Sequence, residues 1–305
     1  MSNAATALPT GWKIWLAGAR PKTLPAAIVP VALGTATADV IGDVDLVRAV
    51  LALVVSLALQ TGVNFANDYS DGVRGTDDVG LRVGPPRLVG WKLASPDAVK
   101  TAALTSFTLA AIAGLGLAAV TSWWLIVVGI VAIAAAWGYT GGPAPYAYIG
   151  LGELFVFVFF GLVAVTGTVY VQTSRIPTLA WWNGVVAGLL AVALLIINNL
   201  RDIPGDSVVG KKTLAVRLGD SRTRSLYVAV ICVATVVGPL GASAIIGHLG
   251  PLLGLGSLVL VMGVVRLVRS GIAGRSLIPV LAKTGRVQLV CGALLSLGLL
   301  LSAHS

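Results

Sequence analysis

Long apolar runs separated by short polar stretches dominate the chain, and the runs exceed what the core helices of a soluble domain require. A membrane-crossing helix needs roughly 20 mostly apolar residues, with about 17–25 tolerated. Runs of this kind fall at 24–41, 46–65, 98–119, 122–139, 151–171, 181–200, 226–246, 251–268 and 286–302, so about nine transmembrane helices are expected. Pro25 and Pro30 interrupt the first run, which membrane helices tolerate when neighbours pack around them. Two connections, 66–97 and 201–225, are long and polar. The others are tight, so the pattern predicts one all-α polytopic membrane domain over residues 1–305.

Composition agrees with that pattern. Hydrophobic residues make up 57% of the 305 and charged residues 11%, against about 45–50% and about 25% in soluble domains. Ordinary soluble folds and disordered chains are excluded. The net charge of +9 would fit nucleic-acid binding if the cations were clustered at random, but their placement says otherwise. With the apolar runs numbered as crossings, 19 of the 21 Lys and Arg fall on one side, together with the N-terminus. Arg48 and Arg175 remain on the other side, beside Asp39, Asp43 and Asp45. By the positive-inside rule the N-terminus and the basic loops face the cytoplasm and Ser305 lies outside. The basic charge is then a topology signal with some attraction to anionic lipid, and no nucleic-acid partner is expected. MSNAATALPT at the start has no basic region, so no cleavable signal peptide is expected.

Candidate chemistry is narrow. Cys232 and Cys291 lie inside apolar runs, and His248 and His304 are isolated, so thiol, zinc and histidine chemistry have no constellation. The acidic residues do form one. The first polar loop carries Asn67, Asp68, Asp71 and Asp77, and the second carries Asn198, Asp202 and Asp206, followed by Lys211 and Lys212. Residues four apart share a helix face, so Asn67/Asp71 and Asn198/Asp202 each present an amide and a carboxylate in one direction. Pro204 is expected to break the second helix and leave Asp206 on a bent segment. Four crossings separate the motifs, which places both at the same membrane face and matches a diverged internal repeat. A single such motif would read as solvated loop residues. Two facing acidic clusters repel unless a cation lies between them, and oxygen-only ligands beside basic residues suit Mg²⁺ with a diphosphate.

At these residues the sequence resembles the UbiA superfamily of intramembrane aromatic prenyltransferases, with its MenA-type dihydroxynaphthoate branch the nearest match. The resemblance covers nearly the whole chain. It is carried by Ala19-Arg20-Pro21-Lys22-Thr23-Leu24-Pro25, the Asn67 to Asp77 motif, Gly84 to Arg87, Tyr139-Thr-Gly-Gly-Pro143 with Gly150-Leu-Gly-Glu153, and Asn198 through Gly219. It implies helices around a central cavity, capped by helices in the two long loops. It also implies Mg²⁺-dependent transfer of a polyprenyl group from polyprenyl diphosphate to a naphthoate ring carbon, with loss of CO₂ and diphosphate, in menaquinone synthesis. By motif position, Asn67, Asp71, Asp77, Asn198, Asp202 and Asp206 are the implied metal ligands. Asp71 and Asp202 serve the chemistry, and Asp68 is a further ligand or base. Arg20, Lys22, Arg74, Lys211 and Lys212 are candidates for phosphate or the acceptor carboxylate, and Tyr139 joins the substrate-binding set. The sequence departs from other branches in having Pro143 where a Tyr-x-x-x-Lys pattern would put lysine, so acceptor handling differs from the hydroxybenzoate enzymes.

Blander readings suit the remaining features. Trp12, Trp15, Trp123, Trp124, Trp181 and Trp182 sit at span ends as interfacial belts, and Glu153 caps its helix or lines the cavity. The alternatives are a superfamily member with another aromatic acceptor, such as hydroxybenzoate or homogentisate, and a cation-coupled transporter. Transport would distribute acidic residues through the spans, whereas here the clusters lie at one surface.

Overall fold

The structure is a computed structural model that describes residues 8–77, 84 and 86–304. The first seven residues, Asp78 and Ser305 lie outside the described residues, and with them much of the signal-peptide reading and the C-terminal location. Each apolar run of the sequence falls on a helix. In chain order they are α1 Trp12–Ala19, α2 Pro25–Val40, α3 Leu46–Val73, α4 Pro96–Val120, α5 Trp124–Gly138, α6 Gly152–Thr173, α7 Thr178–Val208, α8 Leu214–Ile246, α9 Gly250–Arg269 and α10 Gly274–Ala303.

Among the described residues, seven of these (α3, α4 and α6 to α10) are long and apolar enough to cross a bilayer alone. The first span is a bent pair, with Trp12–Thr23 meeting Pro25–Val40 at 52°. The bend sits where Arg20 takes a left-handed backbone (φ 53°), after which Pro21 and Pro25 each begin a helical segment, a position where the missing N–H costs nothing. α5 is shorter, with 15 residues. The chain is a multi-pass membrane protein, and bare apolar side chains such as Val47 and Val259 cover its outside.

The helix most enclosed by the bundle is α7. Leu190 of α7 packs with Val29 and Leu33 of α2, Val165 of α6 and Leu295 of α10. Further along α7, Ile196 and Ile197 pack with Tyr227 and Ile231 of α8, Val264 of α9 and Val280 of α10. Small residues set the closest approach: a Cβ on Gly161 of α6 would lie 2.5 Å from the carbonyl oxygen of Gly184 on α7. In lipid, where hydrophobicity gives helices little reason to associate, such close backbone packing supplies the attraction.

Three expectations need correction. First, α7 runs through Pro204 to Val208 without ending, so Asp206 stands on the same helix as Asn198 and Asp202. Proline removes one backbone donor there, and the end of a well-packed helix tolerates that loss. Second, the loop expected from residue 66 starts later: α3 extends to Val73, so Asn67 to Asp71 are helical, as their spacing suggests, and Asp77 follows in a turn. Among the described residues of that loop no helix stands apart from α3, while in the second loop a turn from Leu214 precedes a kink at Gly219 (φ 75°). Third, Trp182 does more than sit at a span end: its Nε1 donates to the Gly238 carbonyl at 2.8 Å and its half-buried ring packs against the core. Trp12, Trp123, Trp124 and Trp181 are exposed as expected.

Candidate active site

The last turns of α3 and α7 carry the acidic motifs into one cavity of about 850 Å³. Asn67, Asp68, Asp71, Asp77, Asn198, Asp202 and Asp206 all contribute to its wall, as do Arg20, Lys22, Tyr139 and Lys211. From this polar end the cavity continues between apolar walls of α3, α4, α5 and α6, including Leu59, Ile133 and Phe159 and reaching Leu117 and Val171. Phe159 and Phe160 stand on a π-helical stretch, Val158–Val163, that turns α6 within this wall.

Asp71 is held on both oxygens. Tyr148 donates its hydroxyl to Oδ1 at 2.7 Å, and Lys211 Nζ lies 2.9 Å from Oδ2. Burial lowers the lysine's pKa, but the Asp71 carboxylate and the neighbouring Asp206 outweigh it, so Lys211 is held above its ordinary value and stays cationic. Burial and Asp71 also push the Tyr148 phenol up. The Lys211 ammonium lies 4.6 Å from the Tyr148 ring centroid. A backbone bond from Lys212 N to Tyr148 O at 2.9 Å ties the two loops together.

The second motif is organised by Arg201, buried at 2% exposure. Its Nε and Nη2 donate to the two oxygens of Asp202 at 2.7 and 2.6 Å, and Nη2 also reaches Asn198 Oδ1 at 2.8 Å. Asp77 pairs with Arg87 at 3.2 Å. Asn67 Oδ1 accepts from the Thr140 hydroxyl at 2.7 Å. Asp71, Asp77 and Asp202 therefore each meet a cation, which is what burying a carboxylate requires.

Asp68 lines the cavity and also has a structural task. Its two oxygens accept the backbone amides of Leu88 and Val89, both at 3.0 Å, and it is 1% exposed. That carboxylate anchors the loop after the first motif onto α3. Arg74 stands just behind the wall: its guanidinium donates to the carbonyls of Thr140 and Gly142 and lies 5.5 Å from the Tyr148 ring centroid. Lys212 is exposed and lies off that wall too. Glu153 is buried in the first turn of α6, where a carboxylate suits the free backbone amides, and it accepts from Asn199 Nδ2 at 2.9 Å.

Sequence reasoning missed Tyr148, Arg87, Arg201 and Asn199. Arg201 lies within the second motif, so an unpaired buried carboxylate pair would have asked for it. Tyr148 carries no local signal, because its role depends on folding the 139–150 connection across α3.

Among the described residues, no three His, Cys, Asp or Glu converge closely enough to hold a metal ion by themselves. Mg²⁺ rarely uses such a cage; it keeps water and takes one or two carboxylates plus substrate phosphate. An all-oxygen donor set around a cavity, with Lys211 and Arg201 now neutralising Asp71 and Asp202, fits that mode of binding.

Comparison with known proteins agrees with this geometry. Residues 27–276 match the model of the UbiA prenyltransferase family. The chain belongs to that family. A 1,4-dihydroxy-2-naphthoate octaprenyltransferase of Mycobacterium tuberculosis is 52% identical over 276 residues, 90% of this chain and 93% of its own length. The Escherichia coli protein of the same name is 40% identical over 71% of this chain and 72% of its own. Among solved structures, the apo UbiA homologue from Aeropyrum pernix covers 88% of this chain and 96% of its own, with a TM-score of 0.69 and 15% identity. The UbiA fold thus persists where little sequence identity does. A UbiA homologue from Archaeoglobus fulgidus, solved with DMAPP and Mg²⁺, aligns over 92% of this chain and 99% of its own at a TM-score of 0.58 and 15% identity.

Proposed function

We propose that this UbiA-family protein transfers a polyprenyl group from polyprenyl diphosphate to 1,4-dihydroxy-2-naphthoate, releasing CO₂ and diphosphate to give demethylmenaquinol, the reduced form of demethylmenaquinone. It would act in the plasma membrane with its polar cavity end at the cytoplasmic face, as the distribution of Lys and Arg supports. The observation that carries the reading is the cavity itself. Its polar end gathers both acidic motifs with Lys211 and Arg201, and its remaining walls are mostly apolar. The high identity to the mycobacterial octaprenyltransferase selects naphthoate among the family's acceptors.

Asn67, Asp71, Asp77, Asn198, Asp202 and Asp206 are the residues that would hold Mg²⁺. Bound there, the metal would supply positive charge beside the leaving diphosphate. Lys211 and Arg201 are placed to donate to phosphate oxygens as negative charge grows on them, the form of electrostatic stabilisation that most lowers such barriers. The apolar walls from Leu59 to Phe159 hold the prenyl chain and keep water from the allylic cation. The electron-rich naphthoate carbon then attacks that cation, the carboxylate leaves as CO₂, and its bonding electrons restore the ring. Arg20 and Lys22, cations on the same wall, are assigned to the acceptor carboxylate. Arg20 is fixed for this by a bond from Nη2 to the Asn64 carbonyl at 3.3 Å.

The test is to incubate purified protein with Mg²⁺, a polyprenyl diphosphate and a panel of aromatic acids, including carboxyl-labelled dihydroxynaphthoate. Prenylated naphthol with stoichiometric labelled CO₂ is expected. Product that retains the label, or reaction with hydroxybenzoate alone, would move the protein to another acceptor class.

A further inference from the structure

Asn199 follows Asn198 on α7 but faces another way, about 100° around the helix, toward the start of α6. Its Nδ2 donates to Glu153 Oε1 at 2.9 Å, and both side chains are 8% exposed. A carboxylate only accepts hydrogen bonds, so this pairing decides which way round the amide sits. The Asn199 carbonyl oxygen is left over. No group of the described chain donates to it, and the residue forms part of the cavity wall.

Glu153 itself is incompletely satisfied: its Oε2 is fully buried with no hydrogen-bond partner. A half-satisfied carboxyl group in a membrane-spanning helix is less stable than an apolar side chain there. The free amides of the first turn of α6 account for a carboxylate there, and among the described residues its one side-chain partner is Asn199. Tyr139 stands alongside, its hydroxyl 3.4 Å from where a Cβ on Gly152 would lie. A carbonyl oxygen backed by a carboxylate repels diphosphate and accepts a hydrogen bond from a hydroxyl.

We infer that Asn199 accepts a hydrogen bond from a ring hydroxyl of the aromatic acceptor, and that Glu153 is the positioning residue that holds the amide for it. This deepens the proposed function, on which it rests. Recognition of the acceptor is then divided, with cations taking the carboxylate and Asn199 taking a hydroxyl.

The experiment measures acceptor and polyprenyl diphosphate KM for wild type, Asn199→Ala and Glu153→Gln. It also measures inhibition constants of 1-hydroxy-2-naphthoate and 4-hydroxy-2-naphthoate, each lacking one hydroxyl. In wild type, the analogue without the contacted hydroxyl should bind roughly tenfold more weakly than the other. Asn199→Ala should raise the acceptor KM by about that factor, leave the polyprenyl diphosphate KM unchanged, and bind both analogues alike. Glu153→Gln should fall between, because two amides can pair either way round. If Asn199→Ala does not purify folded, Asn199→Ser carries the same comparison. An unchanged acceptor KM, a parallel rise for both substrates, or analogue discrimination that survives loss of the amide would overturn the inference. A wild type that never prenylates dihydroxynaphthoate would instead remove the proposed function, so the two failures are distinct.

Discussion

Lys211 comes from 140 residues further along the chain to set its ammonium 2.9 Å from Asp71 Oδ2. The contact joins the loop after α7 to the last turns of α3, and so joins the two acidic motifs. It also stands in for positive charge that Asp71 needs when buried.

Removing carboxylate charge from either motif should cripple turnover without unfolding the protein. Asp71→Asn and Asp202→Asn are each expected to reduce kcat by at least about 10², the loss typical when a group stabilising transition-state charge is removed. Assays of purified variants with matched thermal stability check this. Near-normal activity in either would dismantle the shared site.

Asp68→Asn should behave differently. Its carboxylate accepts two backbone amides in a buried setting, and an amide side chain can accept only one of them. Hydrogen bonds to a charged group contribute about 1.5–3 kcal/mol, so lower thermal stability and faster proteolysis at the 86–91 loop are expected. A variant with wild-type stability and no activity would return Asp68 to the role of base or ligand.

Neutralising Arg20 or Lys22 should weaken the acceptor more than the diphosphate. Loss of a charge-assisted contact worth about 1.5–3 kcal/mol raises the acceptor KM on the order of tenfold to a hundredfold. Steady-state kinetics in both substrates separates the effects. An unchanged acceptor KM in both variants would take these residues out of the acceptor site.

Topology can be read in intact cells with single cysteines at Gly75 and near Lys211, after confirming that Cys232 and Cys291 stay unlabelled. Both sites should resist an impermeant thiol reagent until the membrane is opened. Labelling of the Gly75 site from outside would invert the orientation.

The spans were legible because their signal is local: a run of apolar residues needs no partner to identify it. The ends of α3 and α7 were not. The Asn-x-x-x-Asp spacing read as a helix face, but the polar stretches that hold Asp71 and Asp202 read as loops, whereas both residues are helical and buried because they face a polar chamber inside the bundle. The same reasoning misjudged Pro204, whose local preference gives way to the packing of α7. The acidic motifs and Lys211 were recognisable from spacing. The duties of Asp68 and Arg74 were not, because each is defined by backbone groups of a distant segment: Leu88 and Val89 for one, Thr140 and Gly142 for the other. Glu153 was weighed as a cap or a wall residue, and only the position of Asn199 shows it behind the wall.

The brevity of α5 has a physical consequence for the surrounding lipid. Fifteen residues rise about 22 Å, while the hydrocarbon layer is about 30 Å thick. Hydrophobic mismatch of that size is relieved by thinning the bilayer beside the helix. Ile130 and Val128 of α5 belong to the apolar wall of the cavity, so thinning of the bilayer beside α5 would fall where that wall separates chamber from lipid. Acyl-chain length in the host membrane then becomes a control variable, with vesicles of long-chain lipids straining the wall that those of short-chain lipids leave relaxed.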